Sequence, residues 1–323
     1  MRDALIKTLT DIARVDKNLI LLTADMGFGV LTEFARIFPQ QFLNVGIAEQ
    51  NMAGVATGLA LEGKTVFTYS ISNFPTLRCV EQIRNNICFH NANVKIVSVG
   101  GGFCYGALGM SHHTTEDLAI MRALPNISVV APGDAIEASL ATRSVYETPG
   151  PCYLRLGRGD DPKIHDKQPN FALGKAIAIF EEGNVALLAT GGILYNVVKA
   201  REILKLNGVN PSVYSFHSLR PFDHDLIEYL SKTAKLIVTV EEHSLVGGLG
   251  GAVAEVLSGF VGPKPPLLRI GLGEGFPSDV GDQEYLRVVY GLSPSSIAQR
   301  VQETVVRLTA GGSRDYVIQS KIR

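Results

Sequence analysis

Short β-branched runs alternate with longer amphipathic or small-residue stretches along almost the whole chain, and this alternation constrains the fold more than any other feature. Strands are predicted at Leu19–Thr23, Thr65–Tyr69, Val94–Val99, Ile127–Val130 and Cys152–Leu156. Helices are predicted between them, at Asp3–Val15, Ala48–Leu61, Thr76–His90, Glu116–Ala123 and Asp134–Glu147. Such an order implies an α/β fold, a parallel sheet with helices on both faces. The polar stretch 157–172 interrupts the rhythm with two prolines and two glycines. A second alternating unit follows, with strands expected at Val185–Ala189, Ser212–Phe216, Leu236–Val240 and Leu267–Ile270. Its helices are expected at Leu194–Leu206, Gly251–Ser258, Gln283–Tyr290 and Ser295–Leu308. The chain therefore divides into a parallel-sheet domain at 1–160, a linker at 161–175, a smaller α/β domain at 176–310 and a loosely held tail at 311–323.

Composition narrows the function. A chain of 323 residues has room for two cores, and a net charge of −1 favours neither nucleic acid nor an anionic membrane as partner. No apolar run is long enough to span a bilayer, and the N-terminus lacks a signal peptide's apolar core. Cys79, Cys88, Cys104 and Cys152 are far apart, with no Cys-x-x-Cys pair, and read as reduced core thiols of a cytoplasmic protein. No Cys and His cluster has zinc spacing.

Residues 42–50, Phe-Leu-Asn-Val-Gly-Ile-Ala-Glu-Gln, carry the chemistry. They set Glu49 where an apolar strand gives way to a helix rich in small residues (Ala53, Gly54, Ala56, Gly58, Ala60). A carboxylate held there, largely away from water, is placed to handle a proton. The same position is also one where the helix macrodipole favours any acid.

The segment resembles the Gly-Ile-Ala-Glu-Gln signature of the pyrimidine-binding domain in transketolases and deoxyxylulose-phosphate synthases. Thr23-Ala24-Asp25-Met26 is similar to that family's Ser-Ala-Asp-Leu segment, and Arg78 with Glu81-Gln82-Ile83-Arg84 resembles the stretch after its stacking aromatic. Ser111-His112-His113, followed by Glu116-Asp117-Leu118-Ala119, resembles its Thr-His-His segment. Val240-Glu241-Glu242-His243 and Gly247-Gly248-Leu249-Gly250 are similar to the transketolase C-terminal domain. The family's other half, with a Gly-Asp-Gly and asparagine set for Mg²⁺ and diphosphate, has no counterpart in this sequence; Asn85-Asn86 stands without it.

The resemblance implies the C-terminal subunit of a split, two-chain transketolase that uses thiamine diphosphate. The Mg²⁺ ligands would lie on an N-terminal, diphosphate-binding partner, in an α₂β₂ assembly. The two domains would be the pyrimidine-binding and C-terminal domains, and the reaction a two-carbon ketol transfer between sugar-type substrates. Glu49 would activate the cofactor. Phe74 would stack on its pyrimidine, with Phe67 and Tyr69 as alternates. Met26 would sit behind the thiazolium or simply pack in the core, and Asp25 would touch cofactor or partner, or form a turn. His112 would bind the donor or transfer a proton, with His113 beside it. Arg78 and Arg158 would bind a sugar phosphate or stand solvated. His243 is expected to be structural, and the Gly247–Gly251 run to serve tight packing.

One segment departs from the family. Relatives read Gly-Glu-Asp-Gly-Pro-Thr-His where this chain reads Gly106-Ala107-Leu108-Gly109-Met110-Ser111-His112. Leu108 cannot accept a hydrogen bond where the family's aspartate reads a donor hydroxyl. An altered donor or acceptor is therefore expected: a deoxy sugar, a nucleotide-linked sugar or a 2-oxoacid. The alternatives are a 2-oxoacid-using thiamine enzyme, either deoxyxylulose-phosphate-synthase-like or a 2-oxoacid dehydrogenase beta subunit, and a non-catalytic scaffold subunit.

Overall fold

In the computed structural model residues 1–310 are described; the tail expected at 311–323 lies outside them. The strands are β1 (Leu19–Thr23), β2 (Phe42–Asn44), β3 (Thr65–Ile71), β4 (Val94–Val99), β5 (Ser128–Val130), β6 (Cys152–Leu156), β7 (Ile177–Phe180), β8 (Val185–Thr190), β9 (Ser212–Ser215), β10 (Ser218–Arg220), β11 (Leu236–Ser244) and β12 (Leu267–Leu272). The helices of the first half are α1 (Arg2–Val15), α2 (Thr32–Ile37), α3 (Glu49–Leu61), the single turn α4 (Val80–Gln82), α5 (Asp117–Ala123) and α6 (Ala135–Glu147). Those of the second half are α7 (Leu194–Leu206), α8 (His224–Thr233), α9 (Leu249–Ser258), α10 (Gln283–Val289) and α11 (Pro294–Thr309).

Two sheets form, in the orders β10-β5-β6-β4-β3-β1-β2 and β12-β11-β8-β9-β7. Strands β1, β4, β6 and β8 are buried along their whole length and mostly apolar, with Lys95 in β4 and Arg155 in β6 as buried charges. Helices cover both faces of the sheets, as the alternation implies. Leu5, Leu9, Ile12 and Ala13 recur at helical spacing on α1 and are buried in one cluster with Ala138, Ala141 and Val145 of α6. Side chains on Asp134, Asp223 and Ser293 cap α6, α8 and α11.

The structure departs from the predicted elements in several places. Each sheet ends in an antiparallel edge strand, β10 against β5 and β7 against β9. Strand β10 comes from the second half of the chain yet completes the first sheet. The single helix expected over Thr76–His90 is instead a 3₁₀ turn (Leu77–Cys79), α4 and a π-turn (Ile83–Cys88). Its start is tied down: Thr76 Oγ1 donates to the Ser72 carbonyl and Ser72 Oγ to the Val99 carbonyl. The wider π-turn then keeps Ile83, Ile87 and Cys88 in the core.

The two halves share one apolar cluster, in which Ile20, Met52 and Leu118 pack with Leu188, Phe216 and Leu257. A buried polar network runs beside it. Asp117, the first residue of α5, accepts from the Tyr153 hydroxyl at 2.6 Å and Arg155 Nε at 2.9 Å. Arg155 Nη2 donates to the carbonyls of Thr114 at 2.8 Å and Glu242 at 3.2 Å. The Glu242 carboxylate accepts from Phe103 N, Gln283 Nε2 and Arg287 Nε. His243 is fully buried; Ala119 N–H donates to its Nε2 at 3.3 Å, and its Nδ1 lies 2.7 Å from the Ser244 carbonyl. This fixes a neutral ring protonated at Nδ1. No described helix is long and apolar enough to cross a membrane.

Burial holds the His243 pKa down to about 4. Between the ordinary histidine value and 4 the unfolded chain binds the extra proton, so this group's contribution is present above about pH 6.5 and is lost as pH falls. Glu241, raised to about 7 by burial, titrates with the opposite sign over an overlapping range. Comparing variants separates the two. In urea denaturation from pH 7 to 4, His243→Asn should flatten the wild-type fall by at most about 1.4 kcal/mol per pH unit; an unchanged slope would mean that His243 carries a proton in the fold.

Candidate active site

The predicted residues gather at the carboxyl ends of β1, β2, β3, β4 and β6 and the start of α3, the edge where open α/β sheets bind ligands. Glu49 opens α3 and is only 4% exposed. Its Oε2 accepts from Arg78 Nη1 at 2.7 Å, and its Oε1 has no hydrogen-bond partner among the described residues. Arg78 follows the tethered turn at Ser72–Thr76, and its carbonyl accepts from Gln50 Nε2 at 3.0 Å. The guanidinium also lies over the Phe74 ring, 4.8 Å from its centroid.

Phe74 in turn meets the half-buried His112 ring edge-on at 5.3 Å. Tyr105 flanks His112 at 6.4 Å and carries Arg158 over its ring at 5.5 Å. One chain of contacts thus joins Glu49, Arg78, Phe74, His112, Tyr105 and Arg158. A side chain at Gly100, which has φ +96°, would collide with the Tyr105 ring, so glycine there lets the ring lie against the backbone beyond β4. Phe67 and Tyr69, the alternate stackers, are buried in the core.

Three expected residues sit differently from this chain of contacts. His113 is buried, with Nε2 3.2 Å from the Gly106 carbonyl and its ring on Phe103. Asp25 is exposed with φ +54°, in the left-handed region. Met26 is half-buried beside it, with its carbonyl accepting from Thr23 Oγ1 at 2.8 Å.

Sequence reasoning missed Asn44, Gln50, Asn73 and Tyr105. Asn44 Oδ1 accepts from Asp25 N and Gly46 N, and its Nδ2 donates to Asp25 Oδ1. It therefore fixes both the Asp25–Met26 turn and the approach to Glu49. Asn73 Nδ2 donates to the carbonyls of Ser111 and His113 and holds the histidine loop. A polar residue at a strand end, two before Gly46, is the one available signal for Asn44; nothing in the spacing marks the others. Among the described residues no group of three His, Cys, Asp or Glu is placed to hold a metal ion.

A two-sheet α/β protein with a buried carboxylate, Glu49, joined through Arg78 to an aromatic ring at the carboxyl edge of its larger sheet is the class that fold and site define. The model of the transketolase pyrimidine-binding domain matches residues 1–162, and that of the transketolase C-terminal domain matches 174–297. The chain belongs to the transketolase family. It is 40% identical to a putative transketolase C-terminal section of Methanocaldococcus jannaschii, covering 94% of this chain and 95% of that one. It is 34% identical to a subunit of the apulose-4-phosphate transketolase of Phocaeicola vulgatus, covering 94% and 97%. A solved split gene transketolase, an inactive beta4 tetramer, superposes with a TM-score of 0.85 at 36% identity, covering 94% and 97%.

Asn44→Ala should leave the global fold in place and free the Asp25 and Gly46 amides. Hydrogen exchange at these two amides should rise about tenfold, as expected for a lost bond of about 1.4 kcal/mol. Unchanged protection would show that the turn is held elsewhere.

Proposed function

We propose that this chain is the pyrimidine-side subunit of a thiamine diphosphate-dependent transketolase assembled from two kinds of chain. The observation that carries the reading is Glu49: a buried carboxylate with one oxygen paired and the other, Oε1, left without a partner beside the half-buried ring of Phe74. A flat nitrogen heterocycle satisfies both, donating to Oε1 and lying against the ring, where stacking adds about 0.5–1.5 kcal/mol beyond burial. Thiamine diphosphate supplies the nucleophilic carbon that breaks and makes carbon–carbon bonds. Glu49 exchanges a proton with the pyrimidine nitrogen, Phe74 stacks, and Met26 and Asp25 line the near edge. His112 hydrogen-bonds the donor, His113 shapes its loop, and Arg158, whose head is exposed, takes a phosphate.

The diphosphate and Mg²⁺ belong on an N-terminal subunit, in an α₂β₂ assembly. Supporting this, Phe28, Leu43, Ile47 and Leu77 stand exposed next to the site residues in sequence, an apolar rim suited to a partner's surface. In the same reading residues 1–160 form the pyrimidine-side domain and 176–310 the C-terminal domain, joined by 161–175. Four free cysteines suit a cytoplasmic location.

The test is calorimetry with thiamine diphosphate and Mg²⁺, using this chain alone and mixed with its diphosphate-binding partner. Binding is expected in the mixture, and its absence there would overturn the reading. Glu49→Gln should bind cofactor yet lose about 10²–10⁴ in kcat; full activity would make the chain a scaffold.

Substrate choice follows the departure at Leu108. Leu108 and Met110 are 56% and 58% exposed in the turn that presents His112, so apolar groups stand where an acid would read a hydroxyl. Xylulose 5-phosphate should be a poor donor for the assembled enzyme, and Leu108→Asp should improve its kcat/KM by about tenfold or more. Turnover of xylulose 5-phosphate at ordinary transketolase rates by the wild type would show that Leu108 does not select.

A further inference from the structure

Arg78 was expected to bind phosphate, and its surroundings assign it elsewhere. Its charge is already committed, through Nη1 to Glu49 Oε2 at 2.7 Å, a charge-assisted length. Its guanidinium face is committed as well, to the Phe74 ring at 4.8 Å. The backbone is held at the same point, because the Gln50 side chain, next to Glu49 on α3, grips the Arg78 carbonyl. The preceding turn is tied to the sheet edge through Thr76, Ser72 and Val99, and Cys79 Sγ bonds the Phe74 carbonyl at 3.4 Å. A phosphate-binding arginine keeps its charge unpaired, as Arg158 does: it lies over the Tyr105 ring but forms no ion pair among the described residues. Arg78 is anchored at its backbone and its head to the two residues that frame the pyrimidine site.

The contact is also one-sided. An arginine fork that meets a carboxylate with two parallel bonds occupies both oxygens. Here only Oε2 is taken and Oε1 has no partner among the described residues. The side chain of Glu49 is 4% exposed against 49% for Arg78, so the carboxylate is enclosed while its counter-charge reaches solvent. Without Arg78, nothing else among the described residues bonds the carboxylate, which could rotate and offer either oxygen.

We propose that Arg78 is a positioning residue: it pins Oε2 and the Phe74 ring together, so that Glu49 presents Oε1 alone to the ring nitrogen of a cofactor stacked on Phe74. The proposal rests on the thiamine reading above. Arg78 does not touch the reacting atoms; it acts through Glu49.

The experiment uses the assembled two-chain enzyme and two probes, thiamine diphosphate and an analogue with carbon in place of the ring nitrogen opposite the amino group. The wild type should prefer the natural cofactor. Arg78→Met should reduce that preference to about threefold or less and lower kcat by about tenfold or more, with substrate KM unchanged. Arg78→Lys, which keeps the charge, should recover part of both, and it carries the test if the methionine variant fails to assemble. Preference and kcat retained in both variants, with a raised KM for a phosphorylated acceptor, would overturn the proposal and return Arg78 to phosphate binding. Failure of the wild-type assembly to bind either probe would overturn the thiamine reading itself, an outcome distinct from a variant-specific loss.

Discussion

The buried pair of Arg155 and Asp117 holds the two halves of the molecule and the site in one geometry. Both side chains are almost wholly enclosed, Arg155 on β6 and Asp117 at the head of α5. Such a pair is tolerated because its remaining donors and acceptors are used: Tyr153 bonds the same carboxylate, and Arg155 reaches the carbonyls of Thr114 and Glu242. Removing one partner would strand the other charge, a cost of about 3–5 kcal/mol. Asp117 Oδ1 lacks a hydrogen bond, and His243 Nε2 stands 4.0 Å from it. Since Thr114 follows His112 by two residues and Glu242 belongs to β11, this one guanidinium fixes the histidine loop against the second sheet.

From that constraint the site becomes a shallow edge built from one side. Glu49 gains from the macrodipole at the first turn of α3, and its second stabiliser, Arg78, comes from the next loop along the sheet edge. Oε1 has no hydrogen-bond partner among the described residues, although the side chain is only 4% exposed. Apolar side chains near the site residues in sequence, Phe28, Leu43, Ile47 and Leu77, are exposed. Under the function proposed above, this edge is where the diphosphate-binding partner would dock.

Much of this was legible in the residues, and the limits have physical causes. Strands β1, β4 and β6 are dominated by apolar, largely β-branched or aliphatic residues and matched the predicted bounds. Helix α8 was missed although Asp223 caps it, because it follows a short edge strand that no periodicity announces. Strand β10 has three residues, too few for any pattern, and its place in the first sheet is set by pairing with β5 across the fold. Glu49 and His112 could be singled out because each sits in a local motif, whereas Phe74 was named only with Phe67 and Tyr69 as alternates. Asn44, Tyr105 and the true partner of Arg78 could not, since their roles arise from contacts between segments 19 to 53 residues apart. An arginine's charge in a sequence does not say which acid already holds it.

The loop that carries His112 shows where sequence and fold part company. Its shape is set by Gly109 at φ +75°, by His113 against the Gly106 carbonyl and by Asn73 gripping the carbonyls of Ser111 and His113. None of these supports involves the side chains of Ala107, Leu108 or Met110. Leu108 and Met110 point their bulk at solvent, where burial contributes little to folding. A family acid can be exchanged for Leu108 without disturbing the scaffold, so the exchange alters what the loop presents to a substrate and leaves how the chain folds intact.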